Sequence, residues 1–217
     1  MRLRNITGAD EIIANSEFVI ARPSEHKGHW KEYWHNENEL HIEIGMGKGK
    51  FLMEMARLNS DINYLGIERY SSVLLRAVQK MEQAPLPNLR FLLMDARELT
   101  AVFAMGEVDR IYLNFSDPWP KDRHTKRRLP SRQFLQIFDQ VLTEKGRLEF
   151  KTDNRPLFDF AMEEIDPAGW KLAASTYDLH QDEELSRGNV MTEYEEKFSA
   201  LGHPICKYMI YRDKEGR

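Results

Sequence analysis

The sequence holds a single cysteine, Cys206, among its 217 residues. That excludes an intrachain disulfide and any zinc site built on several thiolates. No apolar run approaches the roughly 20 residues a membrane-spanning helix needs. The opening stretch, MRLRNITGADEI, lacks the apolar centre of a signal peptide. Positive charge is not in excess either: 31 Lys and Arg stand against 35 Asp and Glu, a net charge of −4. A nucleic acid would therefore have to be met by a local patch rather than by an overall field. With neither internal repeat nor low-complexity linker, the length suits one domain with a sizeable core. A soluble protein of the reducing cytoplasm, with no membrane attachment, is the expectation.

From residue 40 onward, apolar runs alternate with amphipathic stripes. Runs at 40–44, 64–67, 89–94, 110–115 and 146–150 read as strands. Stripes over 50–59, 71–82 and 131–142, and one through Phe158, Ala161, Met162 and Ile165, read as helices. Continuous apolar strands between such helices predict an α/β fold, a mostly parallel Rossmann-like sheet covered on both faces. After Pro167 the rhythm changes, and 170–178 and 205–211 read as late antiparallel strands, with a short helix from Glu193 between them. The predicted domain spans 40–217, and 1–39 is an N-terminal arm. In that arm His26, His29 and His35 lie among Trp30, Tyr33 and Trp34, and no carboxylate-and-histidine pattern completes a metal site. The aromatics are expected to pack on the domain, leaving Arg22, Lys27 and Lys31 to a phosphate backbone.

Ligands of such sheets bind outside the carboxyl ends of the strands, so the residues found there matter most. The first strand runs into Glu43-Ile44-Gly45-Met46-Gly47-Lys48-Gly49, where Gly45 and Gly47 permit a tight turn and close backbone approach. The spacing differs from the dinucleotide fingerprint, whose third glycine falls one place later. The second strand ends at Glu68, 21 residues past Gly47, where a carboxylate can accept from two ribose hydroxyls. The third ends in Asp95-Ala96, placed for an adenine amino group. One such acid is commonly just a helix cap. Three at successive strand ends, beside a glycine turn, outline a site for a nucleoside with a zwitterionic tail, S-adenosylmethionine.

The fourth strand delivers the densest chemistry, RIYLNFSDPWPKDRHTKRR at 110–128. Asp117 precedes Trp119, which stands between Pro118 and Pro120, and five of the eight residues from Lys121 to Arg128 are Lys or Arg. Most charge runs are solvated faces. A nearly one-signed cluster beside an aromatic on a rigid turn, in an acidic chain, reads instead as a seat for an anionic substrate. The fifth strand ends Lys151-Thr152-Asp153-Asn154, a second polar group beside the first.

These segments, NFSDPWPKDRHTKRRL with EIGMGKG upstream and TEYEEKF downstream, closely resemble the bacterial tRNA (guanine-N7-)-methyltransferases over residues 40 to about 210. The resemblance implies a class I methyltransferase fold and methylation of the tRNA variable-loop guanine from S-adenosylmethionine. It implies cofactor contacts at Glu43, Glu68, Asp95 and Asp117, and substrate contacts at Lys121, Asp153, Thr192, Glu193, Tyr194 and Glu195. The RNA surface it implies is Arg123, His124, Thr125, Lys126, Arg127 and Arg128. Asp117 is the expected catalytic residue, a holder of guanine or of positive charge rather than a general base. A nucleotide-cofactor oxidoreductase is disfavoured by the glycine spacing, and a non-catalytic RNA-binding subunit by the intact strand-end acids. A methyltransferase for small molecules or proteins is disfavoured by the basic loop. Monomer and homodimer remain equally open.

Overall fold

Each apolar run becomes a strand and each stripe a helix packed on it. The computed structural model describes residues 6–212. Two short helices, α1 (Ala9–Ala14) and α2 (Trp30–Trp34), precede the repeating part. There follow β1 (Glu39–Ile44), α3 (Lys50–Leu58), β2 (Ile62–Glu68), α4 (Ser71–Gln83), β3 (Leu89–Leu93) and α5 (Leu99–Val102). The second half holds β4 (Val108–Asn114), α6 (Arg132–Val141), β5 (Leu142–Thr152) and α7 (Arg155–Glu164), then β6 (Trp170–Thr176), α8 (Glu193–Ser199) and β7 (Cys206–Arg212). The seven strands lie in the order β3-β2-β1-β4-β5-β7-β6. The first five are parallel, and β7 inserts antiparallel between β5 and β6. The chain steps outward from β1 to β3 and then returns to β4 on the other side of β1. That reversal opens a crevice at the carboxyl ends of β1 and β4.

Both faces of the sheet are covered, as the continuous apolar strands require. Phe51, Leu52, Leu74, Val78 and Met81 pack with Tyr64 and Phe91 in one cluster. Phe134, Leu135, Phe138, Phe158 and Ala161 pack with Ile42, Ile111 and Phe150 in the other. The fifth strand is longer than the 146–150 expected: Leu142 leaves α6 directly in extended form, is 1% exposed, and pairs with Val108 across a register shift. No helix among the described residues is long and apolar enough to cross a membrane.

The N-terminal segment is tied into this core. Residues 18–20 run along the β3 edge, where Phe91 N donates to Phe18 O at 2.8 Å and Ile20 N to Phe91 O at 3.0 Å. This covers an edge that would otherwise offer unpaired backbone groups. Trp30 is 1% exposed, lies 5.3 Å from the Phe103 ring, and donates its indole N–H to Val102 O at 3.1 Å. The Glu107 carboxylate gathers the backbone N–H groups of Gly28, Trp30 and Ala104 at 2.9, 3.3 and 2.6 Å. The three cations expected to face phosphates are exposed and make surface contacts, Arg22 with Glu25, Lys27 with Thr100 O and Lys31 with Glu37. Among the described residues no group of three or more His, Cys, Asp or Glu is placed to hold a metal. His26 rests against the Trp30 and Tyr33 rings.

Trp30→Ala is expected to lower the unfolding free energy by about 3–5 kcal/mol, the scale for removing a buried aromatic. Urea denaturation measures it. A loss under about 1 kcal/mol would mean that the arm is not part of the cooperative core.

Candidate functional site

Between β1 and α3 the backbone folds back on itself. Gly45 and Gly47 take φ of 75° and 59°, a region that L side chains rarely enter. The turn places Gly45 N and Met46 N on Ile67 O at 2.8 and 3.2 Å. It needs room in β2: a Cβ on Gly66 would lie 2.1 Å from the Met46 sulfur. The resulting crevice, of about 620 Å³, is lined by Gly45, Glu68, Asp95, Ala96, Asp117 and Trp119 among others. Residues at or just past the ends of β1, β2, β3 and β4 meet there.

The acids at those ends are held by hydrogen bonds from backbone and side chains of the protein itself. Glu68 accepts from Arg69 N at 2.8 Å and Tyr70 N at 3.0 Å on one oxygen, and from Gly47 N at 3.2 Å on the other. Burial raises its pKa, and those three N–H groups oppose the rise. Asp95 caps the following turn through Arg97 N and grips the Arg97 guanidinium with both oxygens at 2.8 Å. That hydrogen bonding with Arg97 holds its pKa at about 2. Glu43 is 2% exposed and does not itself line the crevice. Burial pushes its pKa up to about 7, opposed by the Asn114 amide, which donates to Oε1 at 2.8 Å, and by the Lys151 charge. Its Oε2 has no partner.

The turn after β4 is bent the wrong way for ordinary residues. Phe115 and Trp119 have φ of 54° and 42°, and each such L residue costs on the order of 1–3 kcal/mol. Phe115 N is fixed on Lys151 O at 2.8 Å. The Ser116 hydroxyl, also on the crevice lining, is buried without a partner. Beyond the prolines, residues 122–127 form a 3₁₀ turn, and the basic run divides. Lys126 and Arg127 reach the crevice, and Arg127 lies over the Trp119 ring at 5.0 Å. His124 meets that ring edge-on at 5.5 Å. Lys121 and Arg123 are exposed, and Thr125 is half-buried, its carbonyl accepting from Arg128 N. Arg128, expected to face RNA, is turned inward onto the carbonyls of Pro118 and Trp119.

Beside the crevice a second cluster forms around Lys151, whose ammonium donates to Glu195 Oε2 at 2.6 Å, Val190 O at 3.0 Å and Asn189 Oδ1 at 3.1 Å. Burial lowers the Lys151 pKa, and Glu195 opposes that shift. Glu195, expected at the substrate, is fully buried; its other oxygen accepts from Asn189 at 2.7 Å, with His180 at 3.4 Å. In this arrangement it is paired with Lys151. Thr192 caps α8 by accepting from Glu195 N at 2.9 Å, and Glu193 pairs with Lys80 and Lys48, the latter on the glycine turn. Tyr194 bonds Asp153 at 3.2 Å and lies 4.9 Å from the Phe115 ring, which joins the two clusters. Lys121, Asp153 and Thr192 do not line the crevice. Arg69, Tyr70, Phe115 and Ser116 do, and none was singled out from sequence. Their only signal is adjacency to a strand-end acid.

The Glu43 carboxyl gives a pH test. In the unfolded chain it ionises near 4.5, in the fold only near 7. Between those values the folded state keeps the proton longer, so stability falls as pH rises from about 4.5 to 7 and the deficit is constant above. Glu43→Gln is therefore expected to stabilise the ligand-free protein above pH 7 by on the order of 3 kcal/mol, with the advantage vanishing near pH 4.5. Thermal melts from pH 5 to 8 measure it, and a pH-independent difference would refute the buried-acid account.

The sequence model of a family described as "Putative methyltransferase" matches residues 37–208. A tRNA (guanine-N(7)-)-methyltransferase of Lachnoclostridium phytofermentans is 55% identical over 215 residues, covering 99% of this chain and all of the relative. One from a Geobacillus species is 52% identical over 208 residues, 95% of this chain and 94% of the relative. Among solved structures, a 16S rRNA methyltransferase, KamB, superimposes with a TM-score of 0.64 at 15% identity, over 84% of this chain and 91% of that one. An antibiotic-related methyltransferase gives 0.63 at 17%, over 84% and 92%. The distant structures carry the fold alone. The sequence relatives match from end to end, and on that match the chain belongs to the tRNA (guanine-N7-)-methyltransferase family.

Proposed function

We propose that the protein transfers a methyl group from S-adenosylmethionine to N7 of a guanine in the tRNA variable loop. The observation that carries this is a single crevice lined by the strand-end acids Glu68 and Asp95 together with Asp117, Trp119, Lys126 and Arg127. Its volume of about 620 Å³ lies within the range of small-molecule sites. Glu68 and Asp95 suit ribose hydroxyls and an adenine amine, with Ala96 beside the ring. The partnerless Ser116 Oγ, on the crevice lining, is a buried polar atom that a ligand would satisfy. When bound, the cofactor supplies a methyl on a sulfonium centre, which the unprotonated N7 of guanine can take without loss of a proton. The chain's own work is then positioning and charge. Asp117 holds the acceptor's edge or stabilises its developing positive charge, Trp119 offers a stacking face, and Lys126 and Arg127 meet phosphate. Incubation with labelled cofactor and bulk tRNA, followed by nucleoside analysis and mapping of the label, tests the proposal. Label elsewhere than 7-methylguanosine overturns it.

Two measurements assign roles within it. Glu68→Ala is expected to weaken cofactor binding by about 1.5–3 kcal/mol, the scale for hydrogen bonds to a charged group. Calorimetry showing wild-type affinity in a folded variant would remove Glu68 from the site. Asp117 has two oxygens, and the guanine edge away from N7 offers two donors, N1–H and the exocyclic amine. With inosine in place of the target guanosine the amine is lost, and kcat/KM of the wild type is expected to fall by about 1–3 kcal/mol. In Asp117→Ala most of that penalty should disappear, since both changes remove one interaction. Additive penalties would confine Asp117 to the cofactor or to charge.

A further inference from the structure

We infer that Arg128 is a positioning residue of the acceptor-facing turn and not a phosphate ligand. The inference deepens the proposed function, resting on the reading that Asp117 and Trp119 face the base. Two prolines leave this turn little freedom. Pro118 and Pro120 have locked φ, and each disfavours the helical region for the residue before it, Asp117 and Trp119. Between the Pro118 and Trp119 carbonyls the chain turns only about φ and ψ of Trp119, and that φ stands at 42° against the preference of an L residue. The Arg128 guanidinium grips the two carbonyls on either side of that dihedral. Its Nε donates to Pro118 O at 3.0 Å and Trp119 O at 3.3 Å, and Nη2 donates to Trp119 O at 3.1 Å. The fork itself is braced: its carbon lies 4.4 Å from the Phe160 ring on α7, while Arg128 N and O bond Thr125 O and Ser131 N, each at 3.0 Å.

Relaxation of Trp119 to negative φ would re-aim the peptide planes at 118 and 119. That would move the indole and, through Pro118, the Asp117 carboxylate. Arg128 opposes this by a match that a guanidinium makes and an ammonium does not, a planar fork spanning two acceptors. Its neighbour Arg127 has a different situation, over the Trp119 ring and on the crevice lining. The basic run is thus composed of two kinds of cation, which charge counting treats alike.

The test compares Arg128→Lys and Arg128→Ala with Arg127→Ala. The readouts are kcat at saturating tRNA and cofactor, the salt dependence of tRNA binding, and iodide quenching of Trp119 in the ligand-free protein. Subtracting Trp119→Phe isolates the last signal. Both Arg128 variants are expected to lose about 10–100-fold in kcat, as for misplaced reacting groups. Both should leave the slope of log affinity against log salt unchanged and make Trp119 more accessible to iodide. Arg127→Ala should flatten that slope by about 1. A wild-type kcat in Arg128→Lys, or a slope flattened by about 1 in Arg128→Ala with kcat retained, overturns the inference in favour of a phosphate contact. Should Arg128→Ala not fold, Arg128→Lys carries the comparison with stem and charge intact. If the wild type transfers no methyl group to tRNA, the proposed function fails on its own. Quenching then decides for Arg128 separately, and unchanged accessibility of Trp119 overturns its positioning role.

Discussion

A buried ammonium joins the parts of this molecule that sequence order keeps apart. Lys151, at the end of β5, is 5% exposed and paired with a Glu195 carboxylate that is wholly enclosed. Neither charge is tolerable alone, because removing one partner of such a pair leaves an uncompensated charge and costs about 3–5 kcal/mol. All three ammonium protons are used, and each lands on the segment 189–195. The loop before α8 and the helix cap at Thr192 are thereby fastened to the sheet. The Lys151 carbonyl also holds Phe115 N just past the end of β4, so one residue ties the turn after β4 and the segment before α8 to the same strand.

The carboxyl groups at the neighbouring strand ends are likewise fixed by hydrogen bonds within the chain. Glu68 is seated by three backbone N–H groups, Asp95 by Arg97, and Glu43 by Asn114. Such preorganisation reduces the reorganisation left for the moment of reaction. Its cost appears as buried carboxyl groups with raised pKa and as two residues, Phe115 and Trp119, in strained backbone. A reaction needing no proton removed from its nucleophile puts its whole demand on alignment, and rigid placement meets that demand.

The basic run shows how one sequence feature can serve two ends. Lys126 and Arg127 extend to the crevice lining. Arg128 turns back under the prolines and replaces solvent as the partner of two carbonyls. The arm behaves in the same divided way, with its aromatics in the core and its cations tied to local acids or carbonyls.

The alternation of elements, the glycine turn and the acids at successive strand ends were all legible in the residues. Each depends on periodicity or on position along a strand, which a one-dimensional pattern carries. Strand limits were less so, since Leu142 joins β5 only because Val108 lies beside it across the sheet. The destinations of the charged side chains were not legible at all. Lys126, Arg127 and Arg128 are chemically alike in order, and only the curl of the 3₁₀ turn sends one inward. The pairing of Glu195, expected from sequence as a substrate contact, with Lys151, 44 residues earlier, is visible only once the two are packed together. Charge and motif are properties of the chain, but the partner of a charge depends on distance through space, and that was decided by the tertiary fold.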